Sequence, residues 1–207
     1  MTIPLPLLPD GMIDLPGAHL RLWPQWLEPE EADVLFASVM AGVPWEVHRI
    51  RLFGREVDSP RLSCWMGEQE ARYRYSGALF ELRAWHPDVK RLASRLRDTL
   101  GTPFNSVLLN RYRSGRDAMG WHSDDEPELG EAPAIASISL GATRRFALKH
   151  RERAESRLAL DLSHGSLLLM AGDTQRHYRH ALPRTARPVG ERINLTFRLI
   201  HPAPGRG

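Results

Sequence analysis

Eight residues near the C-terminus, Arg192-Ile-Asn-Leu-Thr-Phe-Arg-Leu199, alternate polar and apolar side chains without a break. Neighbouring side chains of a strand point to opposite faces, so a period of two excludes a helix here. Ile193, Leu195, Phe197 and Leu199 form an oily face, and Arg192, Asn194, Thr196 and Arg198 a polar one. If the oily face packs on the core, the polar face is either plain surface or the wall of a barrel lumen. Two arginines inside a lumen are costly unless anions meet them.

Four further apolar runs cut by turns lead up to this strand: Ser106 to Arg113, Ile135 to Leu140, Arg145 to Lys149 and Ser166 to Met170. Their spacing predicts antiparallel strands of a sandwich or jelly roll. Helices are expected earlier. Pro29 with Glu30 and Glu31 is a start signal, with Val34, Leu35 and Val39 as a partial stripe to about Met40. After Pro87 and Asp88, the residues Val89, Leu92, Leu96 and Leu100 step by three and four until Gly101 stops the helix. The predicted class is mainly β with flanking helices (α+β). No internal repeat or long linker divides the 207 residues, so one domain is expected over 1–207. Within it, a helical and recognition part spans about 1–104 and a β core about 105–200.

The charge pattern is unusual. Lys plus Arg total 28 against 25 acids, yet the pI is about 9.4, because only Lys90 and Lys149 are lysines and the other bases are arginine. Arginine's flat fork suits phosphates and carboxylates; a GC-rich genome would write the same skew. One cysteine, Cys64, excludes an internal disulfide framework and fits a reducing interior. No apolar run approaches the ~18 residues of a membrane span, and the start of the chain lacks a basic signal-peptide region. A soluble, cytoplasmic protein is expected.

The chemistry-bearing residues fall in three clusters. Asn110-Arg-Tyr112 places Asn110 and Tyr112 on one strand face, and His122-Ser-Asp124 places an imidazole and a carboxylate two residues apart. The third cluster is His177-Tyr-Arg-His180-Ala-Leu-Pro183. Two imidazoles and a carboxylate form a facial triad for Fe(II), with positions open for a co-substrate and oxygen. A dicarboxylic keto acid would need cationic forks and polar donors, and Arg192, Arg198, Thr196, Asn110 and Tyr112 are residues of those types. The residues alone leave His177 and His180 as alternatives for the third ligand.

Asn-Arg-Tyr, His-x-Asp, His-x-Leu-Pro and Arg-x-Asn-Leu-Thr-Phe-Arg, in this order, closely resemble the AlkB family of Fe(II)- and 2-oxoglutarate-dependent nucleic-acid dealkylases, and Leu52-Phe53-Gly54 between arginines resembles the hairpin finger of its duplex-DNA repair branch. The resemblance covers about residues 45–200 and implies a double-stranded β-helix (jelly-roll) core. It implies iron ligands at His122, Asp124 and His180, and 2-oxoglutarate contacts at Asn110, Tyr112, Arg192, Thr196 and Arg198, with Arg198 counted in the catalytic set. The implied reaction consumes O2 and 2-oxoglutarate, hydroxylates an N-methyl carbon, and releases formaldehyde, succinate and CO2.

Substrate contacts are expected earlier in the chain. Tyr75 falls where the family sandwiches a flipped base against the first histidine, here His122, and Tyr73 where it makes a polar contact to that base. Asp125 and Glu126 extend the metal motif as carboxylates that would attract a cationic methylated base, which favours N1-methyladenine and N3-methylcytosine. Arg49-Ile-Arg-Leu-Phe53-Gly54-Arg55 suits a finger whose apolar tip wedges into a base stack while arginines hold phosphates. Arg61, Arg72, Arg74, Arg144, Arg145, Lys149, Arg151, Arg153 and Arg157 are candidates for a nucleic-acid path. The expected partner is alkylated DNA, duplex before single strands, bound by a monomer away from membranes. The alternative is a dioxygenase of the same fold acting on RNA, a protein or a lipid.

Overall fold

The computed structural model describes residues 10–52, 55–71 and 81–201. In chain order its first elements are β1 (Met12–Ile13), β2 (His19–Trp23), α1 (Pro29–Gly42), β3 (Arg49–Leu52), β4 (Arg55–Asp58), β5 (Leu62–Gly67), β6 (Leu82–Arg83) and α2 (Pro87–Leu100). Then follow β7 (Ser106–Tyr112), β8 (Met119–His122), β9 (Ile135–Gly141), β10 (Arg144–His150), β11 (Arg157–Leu162), β12 (Leu167–Ala171), the single turn α3 (Thr174–His177), β13 (Tyr178–Leu182) and β14 (Arg192–Arg198).

Among the described residues the strands form a large sheet, ordered β1-β2-β12-β9-β14-β7-β5-β6, and a small one, ordered β11-β10-β13-β8, with β3 and β4 paired apart from both. Nearly every pairing is antiparallel; β5 with β6 is parallel. The two larger sheets pack face to face through Trp65, Leu108, Ile135, Leu168 and Met170 on one side and Phe146, Leu148, Leu160 and Leu162 on the other. This is the expected jelly roll.

The alternation of β14 explains where the helices sit. Its oily residues Ile193, Leu195 and Phe197 join Val107 and Leu109 of β7 and Ile138 and Leu140 of β9 on the outer face of the large sheet. Leu35 and Val39 of α1 and Val89, Leu92 and Leu96 of α2 cover that face and form a second core. The polar residues of β14 therefore point inward, between the sheets.

Both helices start at proline in the first turn, and α2 ends at Gly101 in the left-handed region (φ 72°), as its sequence predicts. A His86 ring nitrogen additionally accepts from the Asp88 N–H at 3.3 Å. Two details of the predicted pattern change. In α1 the buried stripe is Ala32, Leu35 and Val39, whereas Val34 is 71% exposed, because residues three and four apart share a helix face and Val34 lies on the opposite one. In the last strand the ladder ends at Arg198, so Leu199 follows the strand rather than belonging to its oily face.

Candidate metal and co-substrate site

The inner face of the large sheet is a polar island within apolar walls. Register places Asn110 beside Asn194 and Tyr112 beside Arg192 across β7 and β14, and Ser139 and Ser137 beside Asn194 and Thr196 across β14 and β9. The hydroxyls and amides bond to one another: Ser137 Oγ donates to Asn194 Oδ1 at 2.9 Å and Asn194 Nδ2 donates to Thr196 Oγ1 at 2.6 Å. Arg192 Nη2 donates to Ser139 Oγ at 2.9 Å and to Asn194 Oδ1 at 3.0 Å.

The small sheet supplies the facing histidines. His180 of β13 is paired directly with His122 of β8, and directly opposite residues share a face at close range. Their ring centroids are 4.2 Å apart. Asp124 lies just beyond β8, and one ligand atom from each of His122, Asp124 and His180 falls within 4.8 Å of the others. His177, in α3, stacks on His150 with centroids 5.7 Å apart and is not in this group.

Local bonds preset the ligand atoms. His122 Nδ1 lies 2.8 Å from the Gly120 carbonyl, which can only accept, so Nδ1 carries the proton and Nε2 keeps its lone pair. Arg198 Nη2 donates to Asp124 Oδ1 at 2.7 Å. The second oxygen, Asp124 Oδ2, is buried with no hydrogen-bond partner. Gln175 Oε1 accepts from the Asp124 N–H at 3.0 Å and fixes the turn that carries it.

Protonation states follow. Burial pushes the His180 imidazole down to about 3, with His122 and Arg198 adding to the shift against the pull of Asp124. Burial also lowers His122, reinforced by Arg198 and Arg61. Burial alone would raise the Asp124 carboxyl, but Arg198 and the two imidazoles hold it at about 2. Two neutral imidazoles and an ionised carboxylate with a buried free oxygen are the donor set and charge that a divalent cation requires, and this combination with open positions suits Fe(II).

Arg192 lies further along the same cavity, which is lined by Asn110, Tyr112, Thr196 and Arg198 as well as His122, Asp124 and His180. Arg192 is 1% exposed, its Nε has no hydrogen-bond partner, and among the described residues no carboxylate pairs with it. Burial lowers it to about 10, which leaves it cationic at neutral pH. A buried guanidinium without an anion is strongly unfavourable, so Arg192 calls for an anionic group within this cavity. The residues expected to serve a keto diacid are therefore gathered in one place. Sequence reasoning missed Gln175, for which the chain offers no motif, and Asn194, which its position on the polar face of β14 could have revealed.

Other expectations are redistributed. Phe53, Gly54, Tyr73, Tyr75, Arg72 and Arg74 lie outside the described residues. Arg61 and Arg144 do not belong to a surface path: both are buried. Arg61 Nε donates to Asn110 Oδ1 at 2.8 Å, and Arg144 donates to the carbonyls of Ser114, Asp117 and Pro183 at 3.1, 3.1 and 2.8 Å. Asp125 does not line the cavity but is exposed and pairs with Arg151. Glu126 is half-buried; burial and the charge of Asp124 raise its carboxyl to about 7, and its Oε2 has no hydrogen-bond partner.

Outside the barrel, the small sheet carries a groove of about 680 Å³. Its register places Lys149 directly beside Arg157 on one side and Arg179 on the other. Like charges directly opposite destabilise a sheet, and two rows along the same face, beyond Ala147 and Ala159, is the ordinary solution, Arg145 paired with Asp161 at 3.6 Å. Lys149 Nζ also sits 4.3 Å from the ring centroid of Trp121, which is 46% exposed and adjoins His122. Arg179 was not among the cations singled out from the sequence.

A jelly roll holding a His-Asp-His group opposite a buried, anion-seeking arginine defines a metal- and keto-acid-dependent oxygenase. The profile described as the 2OG-Fe(II) oxygenase superfamily matches residues 19–198, and the chain is an Fe(II)- and 2-oxoglutarate-dependent dioxygenase. Within that superfamily it belongs to the AlkB family. It is 38% identical over 196 residues to alpha-ketoglutarate-dependent dioxygenase alkB homolog 3 of Homo sapiens, covering 90% of this chain and 68% of the relative. It is 36% identical over 182 residues to DNA oxidative demethylase ALKBH2 of Mus musculus, covering 83% and 76%. Among solved structures, OsALKBH1 shares the fold at a TM-score of 0.57 and 18% identity, over 89% of this chain and 98% of that one. Among the described residues no helix is long and apolar enough to cross a membrane.

Proposed function

We propose that the enzyme oxidatively removes methyl groups from N1-methyladenine and N3-methylcytosine in DNA, acting on duplex in preference to single strands, as a monomer in the cytoplasm. The observation that carries the polyanion is the row Arg157, Lys149 and Arg179, unmatched by acids in its own row and adjoining the metal site through Trp121. The ALKBH2 relatives, DNA oxidative demethylases by name, support DNA as that polyanion.

His122, Asp124 and His180 would hold Fe(II), and Arg192, Asn110, Tyr112, Thr196 and Arg198 the co-substrate. With O2, the bound pair supplies an oxidation in which 2-oxoglutarate becomes succinate and CO2 and the methyl carbon gains a hydroxyl, after which formaldehyde leaves the base. The protein's own part is positioning. Gly120 and Gln175 hold two of the metal-binding residues in place. Arg198 keeps Asp124 ionised. Arg192 neutralises the far carboxylate, and the apolar walls of Leu108, Phe146, Met170 and Leu182 exclude water from the cavity. Glu126 and Asp125 are the carboxylates expected beside a cationic base, whose arrival would favour the ionised form of Glu126, with Tyr73, Tyr75, Phe53 and Gly54 as the base's remaining contacts.

Succinate and formaldehyde are to be measured with Fe(II) present and absent, on methylated duplex, single-stranded DNA, RNA and a methylated peptide. Equimolar products from DNA are expected, duplex leading, with none from His122→Ala or Asp124→Ala; turnover of RNA or peptide but not DNA would reverse the substrate assignment. Lys149→Ala is expected to reduce the slope of log affinity against log salt by about 1, as loss of one phosphate contact does. Phe53→Ala should depress duplex repair far more than repair of single strands.

A further inference from the structure

Arg61 lies behind the co-substrate cavity rather than in it: Asn110 lines that cavity and Arg61 does not. The side chain is 5% exposed. It reaches its place because β5 alternates, with Ser63 and Trp65 facing the sheet interior and Ser63 paired to Asn110. Arg61 precedes β5 by one residue and shares that face. Its Nε donates to Asn110 Oδ1 at 2.8 Å, and Nη1 to the Ala118 carbonyl at 3.5 Å.

A carboxamide offers an acceptor at one end and donors at the other, and it binds an anion only through the donor end. A guanidinium has donors and no acceptor. With Arg61 Nε on one side, the amide of Asn110 has one compatible orientation: Oδ1 toward Arg61 and Nδ2 available to the cavity. Without that donor the amide is free to turn and present its oxygen to a carboxylate, which is repulsive.

We propose that Arg61 is a positioning residue for the co-substrate, locking the Asn110 carboxamide with its N–H donors toward 2-oxoglutarate. This rests on the assignment of Asn110 as a 2-oxoglutarate contact. The hydrogen bond does the locking, and the charge of Arg61 is secondary.

Two substitutions separate donor from charge. In glutamine, Nε2 is bonded to Cδ just as Nε is in arginine, so Arg61→Gln keeps a donor at that place and loses the charge. Arg61→Lys keeps the charge and puts a methylene there. The reading is the dissociation constant of 2-oxoglutarate for the Mn(II)-loaded protein, with Mn(II) affinity measured alone as the check that each variant is folded. Arg61→Lys is expected to weaken 2-oxoglutarate about tenfold, the scale of one hydrogen bond to a charged partner, and Arg61→Gln by less than about threefold. The opposite order overturns the proposal in favour of a charge effect.

A second arm places both substitutions in an Asn110→Ala background, where their difference should vanish. An undiminished difference shows that Arg61 acts through something other than Asn110 and overturns the proposal. If Asn110→Ala alone leaves 2-oxoglutarate affinity unchanged, the assignment of Asn110 fails, and the proposal with it.

Discussion

Single side chains in this molecule are decided by what each finds on its own strand face. Arginine shows this best: the same residue type clamps a carboxylate at Arg198, seeks one at Arg192, ties loops together at Arg144 and orients an amide at Arg61. The sequence marked Arg192 and Arg198 through strand alternation. It could not separate Arg61 and Arg144 from surface cations, because their burial depends on strands and loops far along the chain. Asp117 gives the pH consequence. Burial would raise its carboxyl, but the Arg113 side chain and backbone N–H, bonding at 2.8 and 2.9 Å, hold it below the usual carboxylate range. A depressed carboxyl stabilises the fold above its unfolded-state pKa of about 3.9 and loses that contribution as pH falls through its folded value. Asp117→Asn should therefore be less stable at pH 7, and the gap to the parent should narrow progressively as pH falls below about 4. Denaturant melts across that range test this; a gap that stays constant rules it out.

At the level of elements, periodicity gave good positions for both helices and for β7, β9, β10, β12 and β14. The short β1, β6 and β8 carry too few residues for any pattern to show, and β8 is the one that brings His122 beside His180. The triad was thus visible as residue types and spacing, and the resemblance picked His180 by the Ala-Leu-Pro that follows it; cross-strand register supplies the physical reason that this histidine, and not His177, faces His122. β14 does double duty, since one face completes the helix-covered core and the other builds the cavity. Phe197, fully buried and 6.3 Å from the Phe104 ring centroid, belongs to the core face alone. Phe197→Ala is expected to cost about 3–5 kcal/mol of stability while leaving 2-oxoglutarate affinity, measured well below the melting transition, within about twofold. A large loss of affinity with little loss of stability would contradict this division of faces.

Across the whole molecule, the residues proposed to hold the metal belong to the small sheet and its loop, and those proposed to hold the keto acid to the large one. A ligand that binds only the folded form raises its stability by mass action, and one that spans both sheets acts on their docking. Mn(II) with 2-oxoglutarate should raise Tm by more than the separate shifts add up to, and Arg192→Met should abolish the excess while preserving the shift from Mn(II) alone. Strictly additive shifts would mean that the two sites are uncoupled. The buried contact from Arg198 to Asp124, 2.7 Å long, joins a strand of one sheet to the loop leaving the other. It works as an interlock: a chain still folding, or one whose sheets have parted, has its guanidinium and its carboxylate on separate pieces. Such a chain would have the residues proposed to hold the metal and those proposed to hold the co-substrate on separate pieces, so the complete site forms only when the two sheets close on each other.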